Sequence, residues 1–138
     1  MSSWLPNLRI LIVEDQLETL QMIRSMLGDL GARQVVSARD GREALAILDR
    51  GDRPVDLVLC DWNMPRMTGL DLLKQVRSVD PTMPFLMVTG RAEAGDVIAA
   101  KQSGVSAYIR KPFTAEELQR KLIALARIIA HRRSAAVA

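Results

Sequence analysis

Polar residues suited to phosphoryl chemistry follow four of five short apolar runs in this sequence. Glu14 and Asp15 come directly after the first run, and Asp61 after the third. Thr89 and Lys111 stand at the ends of the fourth and fifth runs. Clustered carboxylates repel one another, and a hard cation such as Mg²⁺ relieves that repulsion. A carboxylate can attack phosphorus to give an aspartyl phosphate, while a lysine balances the added charge.

Each residue of this set also has an ordinary structural interpretation. Glu14 and Asp15 precede an apolar helical pattern, where acids favour the positive end of the helix dipole. Thr89 could cap a helix, and Lys111 could be a surface cation. Complementary chemistry at four of five run ends favours the functional interpretation.

The apolar runs predict five strands, and the first, third and fourth are continuously apolar, as in strands buried on both faces. Between them, apolar residues recur at intervals of three and four, which predicts five helices. Gly31 and Gly104 follow two of these patterns as expected helix stops. Thr114 and Glu117 form a capping box that opens the last helix. The predicted strand runs are Ile10–Val13, Gln34–Ala38, Leu57–Cys60, Phe85–Val88 and Ala107–Ile109.

Alternating strands and helices predict an α/β fold, a doubly wound five-stranded parallel sheet with helices on both faces. In such sheets the functional groups collect at the carboxyl ends of the strands. We assign residues 8–130 to one domain, residues 1–7 to an N-terminal extension, and residues 131–138 to a flexible basic tail.

Composition is that of one ordinary globular domain. The chain has 138 residues, 49% of them hydrophobic and 25% charged. The single cysteine, Cys60, excludes an internal disulfide and is interpreted as a small buried hydrophobe. No apolar stretch approaches the roughly 20 residues that span a bilayer, and no signal peptide is evident. We expect a cytoplasmic protein without membrane insertion.

Positive charge is concentrated at the end of the chain. Residues 110–138 hold seven Lys/Arg and two Asp/Glu, although the whole chain has a net charge of only +3. Such a segment can bind nucleic acid. Because Arg120, Lys121 and Arg127 fall at helical spacing between apolar residues, a solvated helix face is the favoured interpretation.

The run from Asp61 through Trp62-Asn63-Met-Pro to Lys74 resembles the phosphoacceptor segment of bacterial response regulator receiver domains. Within that family it is most similar to the chemotaxis regulators that act on the flagellar motor. The resemblance continues through Met87-Val-Thr89 and Lys111-Pro-Phe-Thr114-Ala and covers roughly residues 8–130. It implies the flavodoxin-like strand order 2-1-3-4-5.

The resemblance also implies residue roles. Asp61 is the phosphoacceptor, assisted by Lys111 and Thr89. Mg²⁺, for which Mn²⁺ can substitute, is bound directly by Asp15 and through water by Glu14. Asp61 and the main-chain carbonyl of Asn63 complete the implied ligands. Thr89 and Tyr108 form the switch pair, and the Lys111–Pro112 bond is expected to be cis, a form found in only about 5–6% of X–Pro bonds.

Two positions depart from the chemotaxis pattern. Glu14 replaces the first of two aspartates. Arg91 stands where the chemotaxis regulators have a glutamate, beside the expected phosphoryl site.

The implied function is that of a phosphorylation-controlled switch in a two-component signalling system, rather than an enzyme acting on a separate substrate. The phosphoryl donor is a sensor histidine kinase or phosphotransfer protein. The surface of the fourth helix, fifth strand and fifth helix then binds a downstream protein, such as the flagellar motor or another signalling protein. We expect a monomer that does not bind DNA.

Two other functions would require features that this sequence lacks. A phosphatase that uses an aspartyl phosphate usually has a second carboxylate two residues after the nucleophile. Here that residue is Asn63, which cannot donate a proton in that way. A DNA-binding regulator would need a helix-turn-helix, for which too few residues follow the fifth helix.

Overall fold

The computed structural model describes residues 5–50, 53–90 and 94–137, without the side chains of 94, 136 and 137. Strands and helices alternate through it, as the apolar runs and helical patterns predict. The strands are β1 (Arg9–Val13), β2 (Gln34–Ala38), β3 (Leu57–Asp61), β4 (Phe85–Thr89) and β5 (Ala107–Arg110). The helices are α1 (Leu17–Leu30), α2 (Gly41–Leu48), α3 (Gly69–Val79), α4 (Ala94–Gln102) and α5 (Ala115–Val137).

The five strands form one parallel sheet in the order β2-β1-β3-β4-β5, which confirms the expected topology. Because all the strands run the same way, the carboxyl ends of β1, β3 and β4 meet at one edge of the sheet. β1 and β3 are neighbouring strands in the interior of the sheet, and Ile10 of β1 pairs with Leu57 of β3.

Helices cover both faces of the sheet and bury two apolar clusters. Side chains of α1 and α5, such as Ile23 and Leu122, pack with Ile12 and Leu59 on one face. Side chains of α2, α3 and α4 pack on the other face, where Cys60 is fully buried as expected. The continuously apolar strands β3 and β4 are therefore covered from both sides.

Helix ends follow the local sequence signals. Gly31 ends α1 at φ +112°, a left-handed conformation that glycine adopts without strain. Thr68 and Asp71 form a capping box at α3. Thr114 accepts the backbone N–H of Glu117 at 3.1 Å, which confirms the predicted start of α5. None of the helices in the described part of the chain is long and apolar enough to cross a membrane.

The structure differs from the expected boundaries at both ends. Leu5 is fully buried in the α1–α5 cluster, so residues 5–7 belong to the domain rather than to an extension. Helix α5 continues to Val137 instead of giving way to a tail at 131. Arg132 pairs with Asp80 and Arg133 with Asp56, and these long-range ion pairs hold the last turns against the domain. No local sequence pattern predicts these two ion pairs.

The Arg132–Asp80 pair makes a prediction about stability and pH. The hydrogen bond from Arg132 lowers the pKa of Asp80 from its ordinary 3.8. A lowered carboxyl pKa stabilises the fold above the unfolded-state value, and the gain is lost as the pH falls through the folded-state value. Since the pair is partly exposed, Arg132→Gln should lower the free energy of unfolding by about 0.5–1 kcal/mol near neutral pH.

Urea denaturation at several pH values measures this effect. The difference between wild type and Arg132→Gln should shrink as the pH falls below 3.8. Arg24→Gln, which changes an exposed arginine of α1 that has no ion pair in the described structure, is the control and should be nearly neutral. An equal loss in both variants, or a difference that grows in acid, would contradict the assigned pair.

Candidate phosphoacceptor and metal site

Three carboxylates converge at the carboxyl edge of the sheet. Glu14 and Asp15 follow β1, and Asp61 is the last residue of the neighbouring β3. One carboxylate oxygen of each lies within 4.8 Å of the others. Glu14 and Asp61 are 1% and 6% exposed, so water screens their charges poorly. The arrangement therefore favours a cation.

Lys111, which follows β5, supplies one positive charge. Its Nζ donates to Asp61 Oδ1 at 3.0 Å and to Glu14 Oε1 at 3.3 Å. The Lys111–Pro112 bond is cis, as expected, and the backbone N–H of Lys111 donates to the Thr89 carbonyl at 2.8 Å. Lys111 thus contacts the carboxyl ends of β1, β3 and β4.

Burial and charge shift two pKa values in this cluster. Burial, followed by the charge of Asp61, raises the pKa of Glu14, and the hydrogen bond from the Gln16 backbone N–H and the nearby Lys111 only partly offset this. Burial by itself would lower the pKa of Lys111, but its hydrogen bond to Asp61 and the two carboxylate charges outweigh burial and raise it. The ammonium form of Lys111 is therefore favoured, while the full set of carboxylates is under-compensated.

Asp15 offers the observation that best tests the fit of a metal. Its Oδ1 is buried and has no hydrogen-bond partner among the described residues. A buried carboxylate oxygen without a partner carries a desolvation cost that a ligand can remove. Three oxygen donors, one of them unpaired, form a donor set that suits a hard divalent cation such as Mg²⁺. Glu14, Asp15 and Asp61 therefore form a set of side chains that fits Mg²⁺.

Thr89 and Tyr108 lie on the same face of the sheet. Tyr108 pairs with Met87 in the β4–β5 register, and side chains two residues apart on a strand point the same way. Thr89 is fully buried at the end of β4. Tyr108 is half-buried and packs against the apolar cluster beneath α2, α3 and α4. The two residues thus lie on neighbouring strands of one face, and their role as a switch pair stays a prediction.

The remaining predicted residues lie around the rim. Asn63 is exposed in the loop after β3, two residues beyond Asp61. Trp62 is buried, and its backbone N–H donates to the Val88 carbonyl at 3.0 Å. Its side chain packs in the apolar core and holds the start of the loop after β3. Arg91 lies outside the described residues.

Sequence reasoning missed a contact between the second strand end and the site. Arg39, immediately after β2, donates from Nη2 and Nε to the main-chain carbonyl of Asp15 at 3.0 and 3.3 Å. The signal was available, because β2 borders β1 in the expected strand order. Applying the strand-end rule to all five runs would have included Arg39.

A family model described as the response regulator receiver domain matches residues 10–123. The chain therefore belongs to the response regulator receiver domain family. Members of this family are signalling switches that interact with histidine kinases and downstream targets.

Particular relatives agree with this assignment. The chemotaxis protein CheY-3 of Vibrio cholerae is 44% identical over 118 residues, which cover 84% of this chain and 89% of that protein. A receiver domain protein from Clostridium thermocellum has a TM-score of 0.79 at 30% identity, covering 91% and 97% of the two chains. The receiver domain of a sensor histidine kinase from Pseudomonas aeruginosa has a TM-score of 0.75 at 32% identity, covering 89% and 98%. That structure has a magnesium ion coordinated in its active site cleft.

Gly69 generates a prediction about the support of Asp61. A Cβ at Gly69, the first residue of α3, would lie 2.3 Å from the Asp61 carbonyl oxygen and 2.9 Å from Trp62 Cα. Both are backbone atoms, so the strand end must move. Gly69→Ala should therefore lower the free energy of unfolding by about 1–3 kcal/mol, the usual cost of overpacking.

Gly28→Ala in α1 is the matched control, since nothing lies within 4 Å of its added Cβ. There, the better helix propensity of alanine should raise stability by about 0.5–1 kcal/mol. Chemical denaturation of both variants measures the difference. Equal stability of Gly69→Ala and wild type would mean that the close approach at Asp61 does not constrain the site.

Proposed function

We propose that this chain is a phosphoacceptor response regulator in which Asp61 receives a phosphoryl group from the phosphohistidine of a sensor kinase or phosphotransfer protein. The observation that carries the proposal is the buried Asp61 carboxylate, which lies 3.0 Å from Lys111 Nζ and beside two further acids. The 44% identity to a chemotaxis protein supports a role in chemotaxis or motility. A cytoplasmic location and a monomeric state remain predictions.

In the proposed reaction a carboxylate oxygen of Asp61 attacks the phosphorus atom. An O–P bond forms, the P–N bond to the donor histidine breaks, and its electron pair stays on the imidazole nitrogen, which takes up a proton from solvent. Lys111 pairs with a phosphoryl oxygen, and the Thr89 hydroxyl donates a hydrogen bond to another. The reaction needs little covalent chemistry from the protein beyond the nucleophile, so position and charge dominate.

Glu14, Asp15, Asp61 and the main-chain carbonyl of Asn63 would hold Mg²⁺, with Mn²⁺ as a possible substitute. The bound ion would offset the charge of the carboxylates and the incoming phosphoryl oxygens. Asp15 is the best-supported protein ligand, because its buried Oδ1 has no other partner in the described structure.

Phosphorylation would act as a switch through Thr89 and Tyr108. An aspartyl phosphate carries about −1.5 to −2 charges in place of the single charge of the carboxylate, and it presents three acceptor oxygens. Movement of Thr89 toward those oxygens opens space on the face that Tyr108 shares, and Tyr108 can rotate inward. Inverting a 1:99 equilibrium takes about 5.5 kcal/mol, which two or three charge-assisted hydrogen bonds of about 1.5–3 kcal/mol can supply.

The output surface would be that of α4, β5 and α5. Ile98 on α4 and Ile123 on α5 are each 54% exposed, and such apolar side chains are suitable contacts for a protein partner. The flagellar motor or another signalling protein would be the downstream target. A change in Tyr108, on the strand between the two helices, alters the surface where that target binds.

We predict that Asp61→Asn folds but cannot be phosphorylated, because the change keeps the shape and removes the anionic nucleophile. The measurement is intact mass after incubation with acetyl phosphate and Mg²⁺. Wild type should gain the mass of one phosphoryl group, and a chelator of divalent cations should prevent the gain.

Asp29→Asn, an exposed carboxylate of α1, is the charge-matched control and should be phosphorylated like wild type. Asp15→Ala should require a higher Mg²⁺ concentration. A phosphoryl adduct on Asp61→Asn would show that another residue is the acceptor, and adduct formation unaffected by the chelator would refute the role of the metal.

We predict that Lys111→Ala can still be phosphorylated but transmits the change weakly. Losing a charge-assisted contact of about 1.5–3 kcal/mol should reduce the active population of the phosphorylated form roughly ten-fold or more. NMR chemical shifts of Tyr108 and of α4 are compared at a known extent of phosphorylation.

Lys74→Ala, an exposed lysine of α3, is the control and should reach the wild-type shifts. If phosphorylated Lys111→Ala also reaches them in full, Lys111 only balances charge and the proposed transmission is wrong.

A further inference from the structure

A second charged feature lies at the amino ends of the strands, opposite the acidic site. It is a cleft of about 1160 Å³. Arg9 at the start of β1, Gln34 at the start of β2 and the segment 53–56 before β3 form one side. The last turns of α5, from Arg127 onward, form the other. We refer to it as the basic cleft.

Its charge is strongly one-sided. Five arginines line it, and Asp56 is the only acid among the described lining residues. Arg133 Nη1 pairs with Asp56 Oδ2 at 3.1 Å and also donates to the Asn7 carbonyl at 3.1 Å. Arg132 Nη1 donates to Asp80 Oδ1 at 2.8 Å. Even with both acids counted, three of the five arginine charges have no compensating acid among the described residues of the cleft.

The arginines divide into fixed and available groups. Arg132 and Arg133 are held by their ion pairs, and Arg9 Nη1 donates to the Arg53 carbonyl. Arg53 and Arg127 are exposed, and no hydrogen bond or ion pair engages either guanidinium in the described structure. The planar guanidinium group matches carboxylates in a bidentate geometry. The cleft thus presents two guanidinium groups that are available to bind anions. They lie beside three arginines that are held in place by ion pairs or hydrogen bonds.

Its size and lining favour a polypeptide as the occupant. The volume exceeds the roughly 300–1,000 Å³ of typical small-molecule sites. Pro54 and Ile128 add apolar surface, and Ile128 is 40% exposed. Apart from the His131 imidazole, the described lining residues offer no aromatic ring on which a nucleic-acid base could stack. Arginine beside aliphatic surface suits a segment that mixes carboxylates with apolar side chains.

We propose that the basic cleft binds an acidic segment of a partner protein, with carboxylates on Arg53 and Arg127 and an apolar side chain on Ile128. The site uses none of the residues around Asp61. It therefore stands independently of the proposed phosphorylation and is a second interaction surface at the other end of the sheet.

The test is fluorescence anisotropy of the full chain with a fluorescein-labelled peptide rich in Glu with scattered Leu and Ser. Arg53→Glu combined with Arg127→Glu should raise the dissociation constant about ten-fold or more. The control pair Arg24→Glu with Arg42→Glu makes the same charge change on exposed positions of α1 and α2 and should change it less than about two-fold. Added salt should weaken the complex.

Two further measurements sharpen the result. Ile128→Ala should weaken binding of the Leu-containing peptide but not of a version with Ser in place of Leu. If circular dichroism shows that the double charge reversal unfolds the chain, Arg53→Gln with Arg127→Gln takes its place. The control is then Arg24→Gln with Arg42→Gln.

Three outcomes would overturn the proposal. One is the absence of saturable binding of the acidic peptide, and another is an equal loss of affinity in the cleft and control pairs. The third is tighter binding of oligothymidylate than of the peptide, lost in the cleft pair alone, which would make the cleft a nucleic-acid surface.

Discussion

The structure depends on one electrostatic constraint, which is that three carboxylates share one edge of a parallel sheet. Two unit charges about 4 Å apart repel by about 1 kcal/mol in water and about 4 kcal/mol at the effective dielectric of a protein surface. Lys111 reaches across from β5 and contacts Asp61 and Glu14. Among the described residues, Lys111 is the only cation paired with these three carboxylates, and Asp15 Oδ1 has no hydrogen-bond partner. The site therefore favours a further cation, which would also offset the charge of the proposed phosphoryl group.

The two ends of the sheet have opposite charge. The carboxyl edge gathers acids and the amino edge gathers arginines, while the apolar strands between them are buried on both faces. Helix α5 runs between these ends. At about 1.5 Å per residue its 23 residues span roughly 34 Å, from the cap just after Lys111 to the wall of the basic cleft. Its middle also carries Ile123, on the proposed output surface.

Most of the fold can be predicted from the amino-acid sequence. Strands and helices follow from apolar spacing, and Thr114 and Gly31 mark helix ends through chemistry that acts over a few residues. The alternation then requires a parallel sheet, and a parallel sheet requires that the acids and Lys111 lie at one edge. The strand order came from the resemblance to receiver domains, because spacing alone does not say which strands are neighbours.

Which side chains come into contact could not be predicted in this way, because it depends on the packed structure. Lys111 and Asp61 are 50 residues apart, and their 3.0 Å contact depends on how the sheet twists and packs. Arg39 on the Asp15 carbonyl and Arg132 on Asp80 are contacts of the same kind, and the second extends α5 beyond its expected end. Local patterns report the preferences of neighbouring residues, whereas these contacts arise between segments that come together only after the core has packed.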